Sequence, residues 1–129
     1  MLDYQVEIAH GAIDAGADVV MGHGPHYACA VEMYQGKPIF YGLGSFSFHT
    51  GHGGRAHGDW VGMLARLTLD DRALVEVAFS MVRHNEHNET YVCDPHHDKE
   101  AVEQTMRRCD KLGTTLTISG SEMIVWKEP

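Results

Sequence analysis

A short apolar segment that runs directly into a glycine- and histidine-containing loop constrains the fold of this chain more than any other feature. Residues 17–21 read Ala-Asp-Val-Val-Met, and the loop Gly22-His23-Gly24-Pro25-His26 follows at once. Such a continuous apolar segment predicts a strand of the kind that parallel sheets bury on both faces. Open α/β sheets bind ligands beyond the carboxyl ends of their strands, so we expect a metal site at this loop.

The segments on either side of this strand complete a recognisable order of elements. Apolar residues recur near helical spacing over 4–15, and Gly16 follows as a suitable stop, which predicts a helix. After the loop, an alternating segment over 28–34, a turn at 35–38 and an apolar segment over 39–41 predict two strands. Helix, strand, loop, strand, turn and strand in this order indicate an α/β fold.

The remainder of the chain predicts hairpins and one further helix. We expect, in order, a surface loop over 49–59, a hairpin of strands 60–69 and 73–83, a polar connection over 85–95, a helix from His97 or Asp98 to about Leu112, and a hairpin of strands 114–118 and 123–126.

The composition is that of a soluble globular chain of one domain's size. Its 129 residues are 43% hydrophobic and 22% charged, and no apolar run approaches the roughly 18 residues of a membrane span. The formal net charge of -8 argues against nucleic acid as a partner, because phosphate binding relies on clustered Lys and Arg. An anionic substrate would need a local positive centre such as a metal ion. Neither a signal peptide nor a membrane association is visible.

Cysteine and nucleophile patterns indicate no other kind of site. Cys29, Cys93 and Cys109 are odd in number and far apart, so small buried or half-buried thiols are expected. The nucleophile elbow, the P-loop, the dinucleotide fingerprint and the HExxH pattern do not occur. Ser45 on its own does not indicate serine catalysis.

Ten histidines make histidine spacing alone uninformative, since three pairs stand three residues apart. His23 and His26 differ from the other pairs in context, because glycines, a proline and a strand surround them. Neutral imidazoles bind Zn, Mn, Fe or Co, so both are candidate metal ligands; the alternative is that they only cap or hydrogen-bond the loop. Six other histidines are expected at the surface: His52, His57, His84, His87, His96 and His97. For His52 and His57, the alternative is that they reach into a site.

Three acidic side chains lie in or next to this region. Glu32 lies within an apolar alternation, so it is either a buried partner or a solvent-facing residue. Asp14 and Asp18 flank the end of the first helix, and Asp18 is expected to orient or cap the loop in preference to binding a metal.

Several of these residues together resemble a known family, the CapA capsule or poly-gamma-glutamate synthesis proteins. The resemblance lies between Gln5 and Phe48 and rests on Gln5, Ala9, Ile13-Asp14-Ala15-Gly16-Ala17-Asp18, Gly22-His23-Gly24-Pro25-His26, Glu32, Tyr34, Gly36-Lys37-Pro38-Ile39-Phe40-Tyr41 and Leu43-Gly44. It implies that 1–129 is the C-terminal half of a calcineurin-like metallophosphatase α/β/β/α sandwich. It also implies a centre of two divalent transition metals, Mn, Fe or Zn, with His26 and His23 among the ligands.

The chain departs from the family pattern in two places. Many relatives carry histidine where Gly24 stands, and their YSLGNF tract has serine and asparagine at the positions of Gly42 and Ser45. The earlier metallophosphatase motifs, DxH and GDxxxN, do not precede Tyr4. The resemblance therefore implies a longer protein, in which an N-terminal half would pair with this one.

Two functional hypotheses follow from the resemblance. One is a metal-dependent phosphoesterase-like protein that acts on an anionic substrate or cell-envelope polymer during capsule or poly-gamma-glutamate synthesis. The other is a non-catalytic binding or structural module of the same process. Localisation stays open: the cell envelope if the full-length protein carries a signal or anchor, and otherwise the cytoplasm.

Overall fold

The computed structural model describes residues 2–47 and 61–129, and within these ranges two helices and two sheets confirm the α/β class. The predicted loop over 49–59, with His52 and His57, lies outside the described residues. The elements are α1 (Asp3–Asp14), β1 (Val20–Met21), β2 (Val31–Tyr34), β3 (Lys37–Phe40), β4 (Gly62–Asp70), β5 (Ala73–His84), β6 (Thr90–Val92), α2 (Lys99–Asp110), β7 (Thr117–Ser119) and β8 (Glu122–Lys127).

The predicted first helix is confirmed as α1. Its buried residues, Ala9 and Ile13, are four positions apart and so lie on one face of the helix. Ala15 is the C-terminal cap, and Gly16 follows with φ +108°, a conformation that residues with a side chain rarely adopt. The helix therefore ends where the sequence predicts.

The first sheet has three strands in the order β1-β3-β2. β2 and β3 form the predicted hairpin, in which Gln35 and Gly36 have φ values of +50° and +75°. Among the described strands, β1 pairs only with β3, in parallel, and it is just two residues long. The prediction of a strand buried on both faces is wrong, since Met21 is 45% exposed. Lying at the edge of the sheet, β1 has a neighbouring strand on one side only.

The second sheet has five strands, with β5 at its centre. The predicted hairpin of β4 and β5 is confirmed, and its turn places Asp71 and Arg72 at positive φ. The hairpin of β7 and β8 is also confirmed. The predicted polar connection over 85–95 is wrong in part, because β6 pairs with β5 beyond the point where β8 ends. Three residues are too few for a periodic pattern, so the sequence could not reveal this strand.

The second predicted helix is confirmed as α2, preceded by Asp98. Asp98 does not cap the helix with its side chain. Its carboxylate instead accepts hydrogen bonds of 2.6 and 2.9 Å from the Arg83 guanidinium on β5. Neither α1 nor α2, the helices of the described ranges, has the length and apolar character that a membrane crossing requires.

The two sheets share one core. In β3 the side chains alternate: Ile39 packs in a cluster with α1, whereas Phe40 belongs to the larger cluster that also contains Phe79 of β5. Phe40 and Phe79 are both 0% exposed. From α2, Val102 and Cys109 complete the larger cluster. The first sheet thus lies between α1 and the core of the second sheet.

The three cysteine thiols are free, as the sequence predicts. Cys93 and Cys109 are buried and Cys29 is half-buried.

Candidate functional site

The histidine loop and the segment after β3 leave the first sheet at the same edge. β1 and β3 are parallel and in register, with Met21 opposite Phe40, so their carboxyl ends meet. Backbone hydrogen bonds then join the two segments: the Leu43 amide donates to the Gly22 carbonyl at 3.1 Å, and the Ser45 amide donates to the His26 carbonyl at 3.2 Å. The predicted loop is therefore supported along its length by its neighbour.

Glycine is required at two positions of this loop for different reasons. A Cβ atom on Gly22 would lie 2.6 Å from the Tyr41 carbonyl oxygen, so the close approach of the two segments excludes a side chain. Gly24 has open space around it but adopts φ +132°. It is needed for its backbone conformation instead.

His26 is half-buried and held by the neighbouring segment. Its Nδ1 lies 3.0 Å from the Ser45 hydroxyl oxygen. Ser45 occupies a position at which the resemblance implies asparagine, and it keeps a polar contact with the loop. A hydrogen bond at one ring nitrogen fixes the orientation of the ring. Histidines that bind a metal through one ring nitrogen are commonly held in this way through the other.

His23 lies in different surroundings. It is exposed and lines a depression of about 190 Å³ between α1 and the carboxyl ends of β1 and β3, together with Tyr4, Ile8 and Tyr41. The structure thus places both predicted ligands at one sheet edge, His23 toward α1 and His26 toward Ser45.

The donors of this loop are of a type that Zn, Mn and Fe accept, but they are few. Across residues 2–47 and 61–129, no His, Cys, Asp or Glu side chains gather in a group of three or more that could hold a metal ion. A structural or catalytic zinc ion uses at least three protein ligands. The ligand assignment of His23 and His26 remains a prediction, and the described residues could supply only part of such a site.

A cluster that the sequence did not reveal joins α1 to the β2–β3 hairpin. His10 Nε2 lies 3.1 and 3.0 Å from the two carboxylate oxygens of Glu32, whose side chain is 12% exposed. The Tyr41 hydroxyl donates to the same carboxylate at 2.5 Å. Of the two alternatives for Glu32, the structure supports the buried partner.

Further contacts extend this cluster. The rings of His10 and Tyr34 stack at 3.8 Å, and the Tyr34 hydroxyl donates to Asp14 at 3.3 Å. Burial raises the pKa of the Tyr41 hydroxyl, and its hydrogen bond to Glu32 raises the pKa further. Tyr41 therefore stays a donor at neutral pH. The only sequence signal for His10 was its place beside the buried stripe of α1, directly after Ala9.

Other polar residues had mixed outcomes. His84 is buried, contrary to prediction, because its ring contacts the carbonyl oxygen of Phe46 and replaces the hydrogen bonds of water. His87, His96 and His97 are exposed as expected. Asp18 does not hold the loop; its carboxylate pairs with Lys37 at 3.2 Å and is 93% exposed.

The first part of the chain is similar to known proteins. Residues 1–50 match the family described as bacterial capsule synthesis protein PGA_cap. The "PGA biosynthesis protein CapA" of Bacillus subtilis is 47% identical over 49 residues, which are 38% of this chain and 13% of that protein. The "Capsule biosynthesis protein CapA" of Bacillus anthracis is 43% identical over 47 residues, 36% of this chain and 11% of that protein.

A third relative has a different name. A "Probable polyglutamine synthesis accessory protein" of Mycobacterium tuberculosis is 54% identical over 39 residues, 30% of this chain and 10% of that protein. The chain spans between 10% and 13% of the length of the curated relatives it matches. The family match over residues 1–50 includes the histidine loop 22–26.

Proposed function

We propose that the protein serves capsule or poly-gamma-glutamate synthesis, because its residues 1–50 match the family of bacterial capsule synthesis proteins and are similar to two CapA proteins. In this role, His23 and His26 supply ligands to a divalent transition metal, Mn, Fe or Zn. The metal belongs to a phosphoesterase-like site that acts on an anionic substrate or on cell-envelope polymer.

One observation carries the proposal: the loop 22–26 lies in the family segment and at the carboxyl edge of parallel strands. Ligand sites of open α/β sheets lie at such edges. The hydrogen bond between His26 and Ser45 supports an oriented imidazole there.

The site needs more ligands than this loop offers. The remaining ligands, and a second ion in a full-length protein, would depend on residues outside those described. A bound metal would supply a positive centre and an activated water near neutral pH. The contribution of this chain is to place two imidazoles, with Gly22 allowing the loop to lie against the backbone of Tyr41.

Equilibrium dialysis of the 129-residue chain against Mn²⁺ or Zn²⁺, followed by elemental analysis, tests the ligand assignment. We expect weak binding that falls about tenfold in His26→Ala and in His23→Ala, because affinity grows with ligand count. Ser45→Ala should also weaken binding by about tenfold, through loss of the partner that orients His26.

The matched controls are His87→Ala and His97→Ala, whose side chains are 74% and 87% exposed. They remove an imidazole without touching the loop, and circular dichroism verifies the fold of every variant. If the controls lower metal binding as much as His26→Ala does, or if no metal binds, the metal proposal is wrong. The chain would then act as a non-catalytic module.

Hydrolysis of an aryl phosphate tests the proposed shortage of ligands. The 129-residue chain should stay at the background rate with either metal, because nothing among its described residues holds a second ion beside the first. Metal-dependent turnover that His26→Ala abolishes would overturn the proposal of an incomplete site. It would mean that the described ligands suffice, or that a second copy of the chain completes the site.

A further inference from the structure

A groove of about 720 Å³ opens next to the histidine loop, on the side of α2. The beginning of α1 contributes Gln5, the end of the histidine loop contributes Tyr27, and the end of α2 contributes Arg108 and Lys111. The groove is thus built from three elements that are far apart in sequence. The metal ligands proposed above do not line it.

Two cations face this groove, and one of them is held in place. The Arg108 guanidinium lies over the Tyr27 ring, 5.8 Å from the ring centroid, and donates to the Ala28 carbonyl oxygen at 2.9 Å. A guanidinium has five N–H donors, so most of them are left for a ligand. Lys111, three residues later, adds a second charge on the same side of the helix end.

The local charge is positive although the chain as a whole carries -8. Among the described residues that line the groove, none is acidic, and neither Arg108 nor Lys111 forms an ion pair with a described side chain. Burial raises the pKa of the Cys29 thiol, which also lines the groove, and the nearby Arg108 only partly offsets this. The thiol is therefore neutral at pH 7 and does not repel an anion.

We propose that this groove binds an anion that carries carboxylates on aliphatic carbons, with Arg108 and Lys111 as the charged partners and Gln5 as a further polar one. The apolar part of the lining favours an anion with methylene groups over inorganic phosphate. Leu2, Pro25 and Leu112 also line the groove and can contact methylene groups. Inorganic phosphate has no such groups, whereas an oligomer of glutamate has two for each carboxylate.

The choice of a glutamate oligomer as the probe rests on the proposed function, but the groove does not involve the metal. The experiment is a titration of the ¹⁵N-labelled 129-residue chain with a γ-linked glutamate pentapeptide in buffer containing EDTA. We expect saturable shifts of the backbone amides of Tyr27, Arg108 and Lys111. The same peptide with amidated carboxylates, and inorganic phosphate at equal concentration, are the ligand controls.

The protein variants test the two cations. Arg108→Gln should weaken binding about fivefold and Lys111→Gln about threefold, because each removes a charge-assisted hydrogen bond in a solvent-screened setting. Arg107→Gln is the matched control: Arg107 is exposed, adjacent in sequence and absent from the groove lining. It removes the same charge from the same helix and should leave the affinity within about twofold.

Three results would overturn the proposal. They are equal binding of the amidated peptide, equal loss of affinity in Arg107→Gln and Arg108→Gln, and binding of phosphate without binding of the pentapeptide. Since EDTA removes divalent metal, a failure here leaves the metal proposal standing. Conversely, a loss of metal binding leaves the groove standing, so the two proposals fail separately.

Discussion

The two halves of this molecule differ in where their polar side chains meet. In residues 2–47, polar groups collect where the chain leaves its strands, as with His26 and Ser45, or between a helix and a hairpin, as with His10 and Glu32. In residues 61–129, charged groups pair with other elements of the same half. Arg66 of β4 binds Glu76 of β5 and Glu122 of β8 at 2.6 Å each, and Arg83 binds Asp98.

This difference matches the difference in sequence similarity. The family segment ends at residue 50, so it contains the loop contacts and the His10 cluster but not the charge pairs of the second sheet. The half that contains the candidate metal ligands is therefore the smaller one, and it relies on the other half for its core. Phe40 is the plainest case, since it belongs to the first sheet but packs with residues of the second.

Phe40→Ala gives the largest effect and tests whether the halves fold together. Removing a fully buried ring should destabilise the chain by about 3–5 kcal/mol through lost burial and the cavity that remains. Because the core is shared, the whole chain should unfold in one transition at a lower urea concentration. Far-UV circular dichroism and fluorescence, to which Trp126 of β8 contributes, measure this.

Ile8→Ala is the control for Phe40→Ala. Ile8 is in the same half but is 67% exposed, so its truncation should change the unfolding free energy by less than about 0.5 kcal/mol. Separate transitions by the two signals in Phe40→Ala would show that the halves unfold independently.

Gly22→Ala has an intermediate effect and is specific to the loop edge. The new methyl group would lie 2.6 Å from the Tyr41 carbonyl oxygen, so backbone must move, and about 1–3 kcal/mol of stability should be lost. Gly11→Ala in α1 meets no atom within 4 Å and should stabilise the chain by about 0.5–1 kcal/mol. Urea unfolding of both variants measures the contrast, and equal changes would contradict the close contact.

Asp98→Asn should have the smallest effect on the unfolding free energy, and this effect should depend on pH. Hydrogen bonds from Arg83 hold the pKa of the Asp98 carboxyl below its usual value. The unfolded chain therefore binds a proton at Asp98 more readily than the folded chain does. The stabilisation from the Arg83 pair is present above a pH of about 4, and it is lost as the pH falls through the pKa of Asp98 in the folded chain. We expect Asp98→Asn to lose about 1 kcal/mol of unfolding free energy at pH 7 and less at pH 3.

The control for this pH dependence is Asp70→Asn. Asp70 is exposed at the end of β4 and forms no ion pair with a described residue. The unfolding free energy of the Asp70→Asn variant should follow that of the unchanged protein from pH 7 to pH 3. Asp98→Asn could instead lower the unfolding free energy by the same amount at pH 7 and at pH 3. That result would show that the ion pair with Arg83 is not the source of the effect.

Local patterns were enough to predict most elements of both halves. Helical spacing with a glycine stop predicted α1, and alternation around turn residues predicted the hairpins of β2–β3, β4–β5 and β7–β8. These signals are local because each arises from residues that are neighbours in sequence. The place of the histidine loop at a carboxyl strand end was predictable for the same reason.

The predictions that were wrong concern residues whose structure depends on partners distant in sequence. The burial of His84 requires the carbonyl of Phe46, 38 residues earlier, and β6 exists only because β5 offers a free edge beyond β8. The exposure of β1 follows from its place at the edge of the sheet. No periodicity within a short window contains this information.

The sequence by itself determined the α/β class, the order of most elements, and the presence of two imidazoles and two glycines in one loop. Only the tertiary structure decided that Ser45 orients His26, that His10 and Glu32 meet, and that Arg108 and Lys111 face one groove with Tyr27. The physical reason is separation along the chain. Propensity and turn geometry act over a few residues, whereas burial, hydrogen bonding and charge pairing depend on which distant segments the packed core brings together.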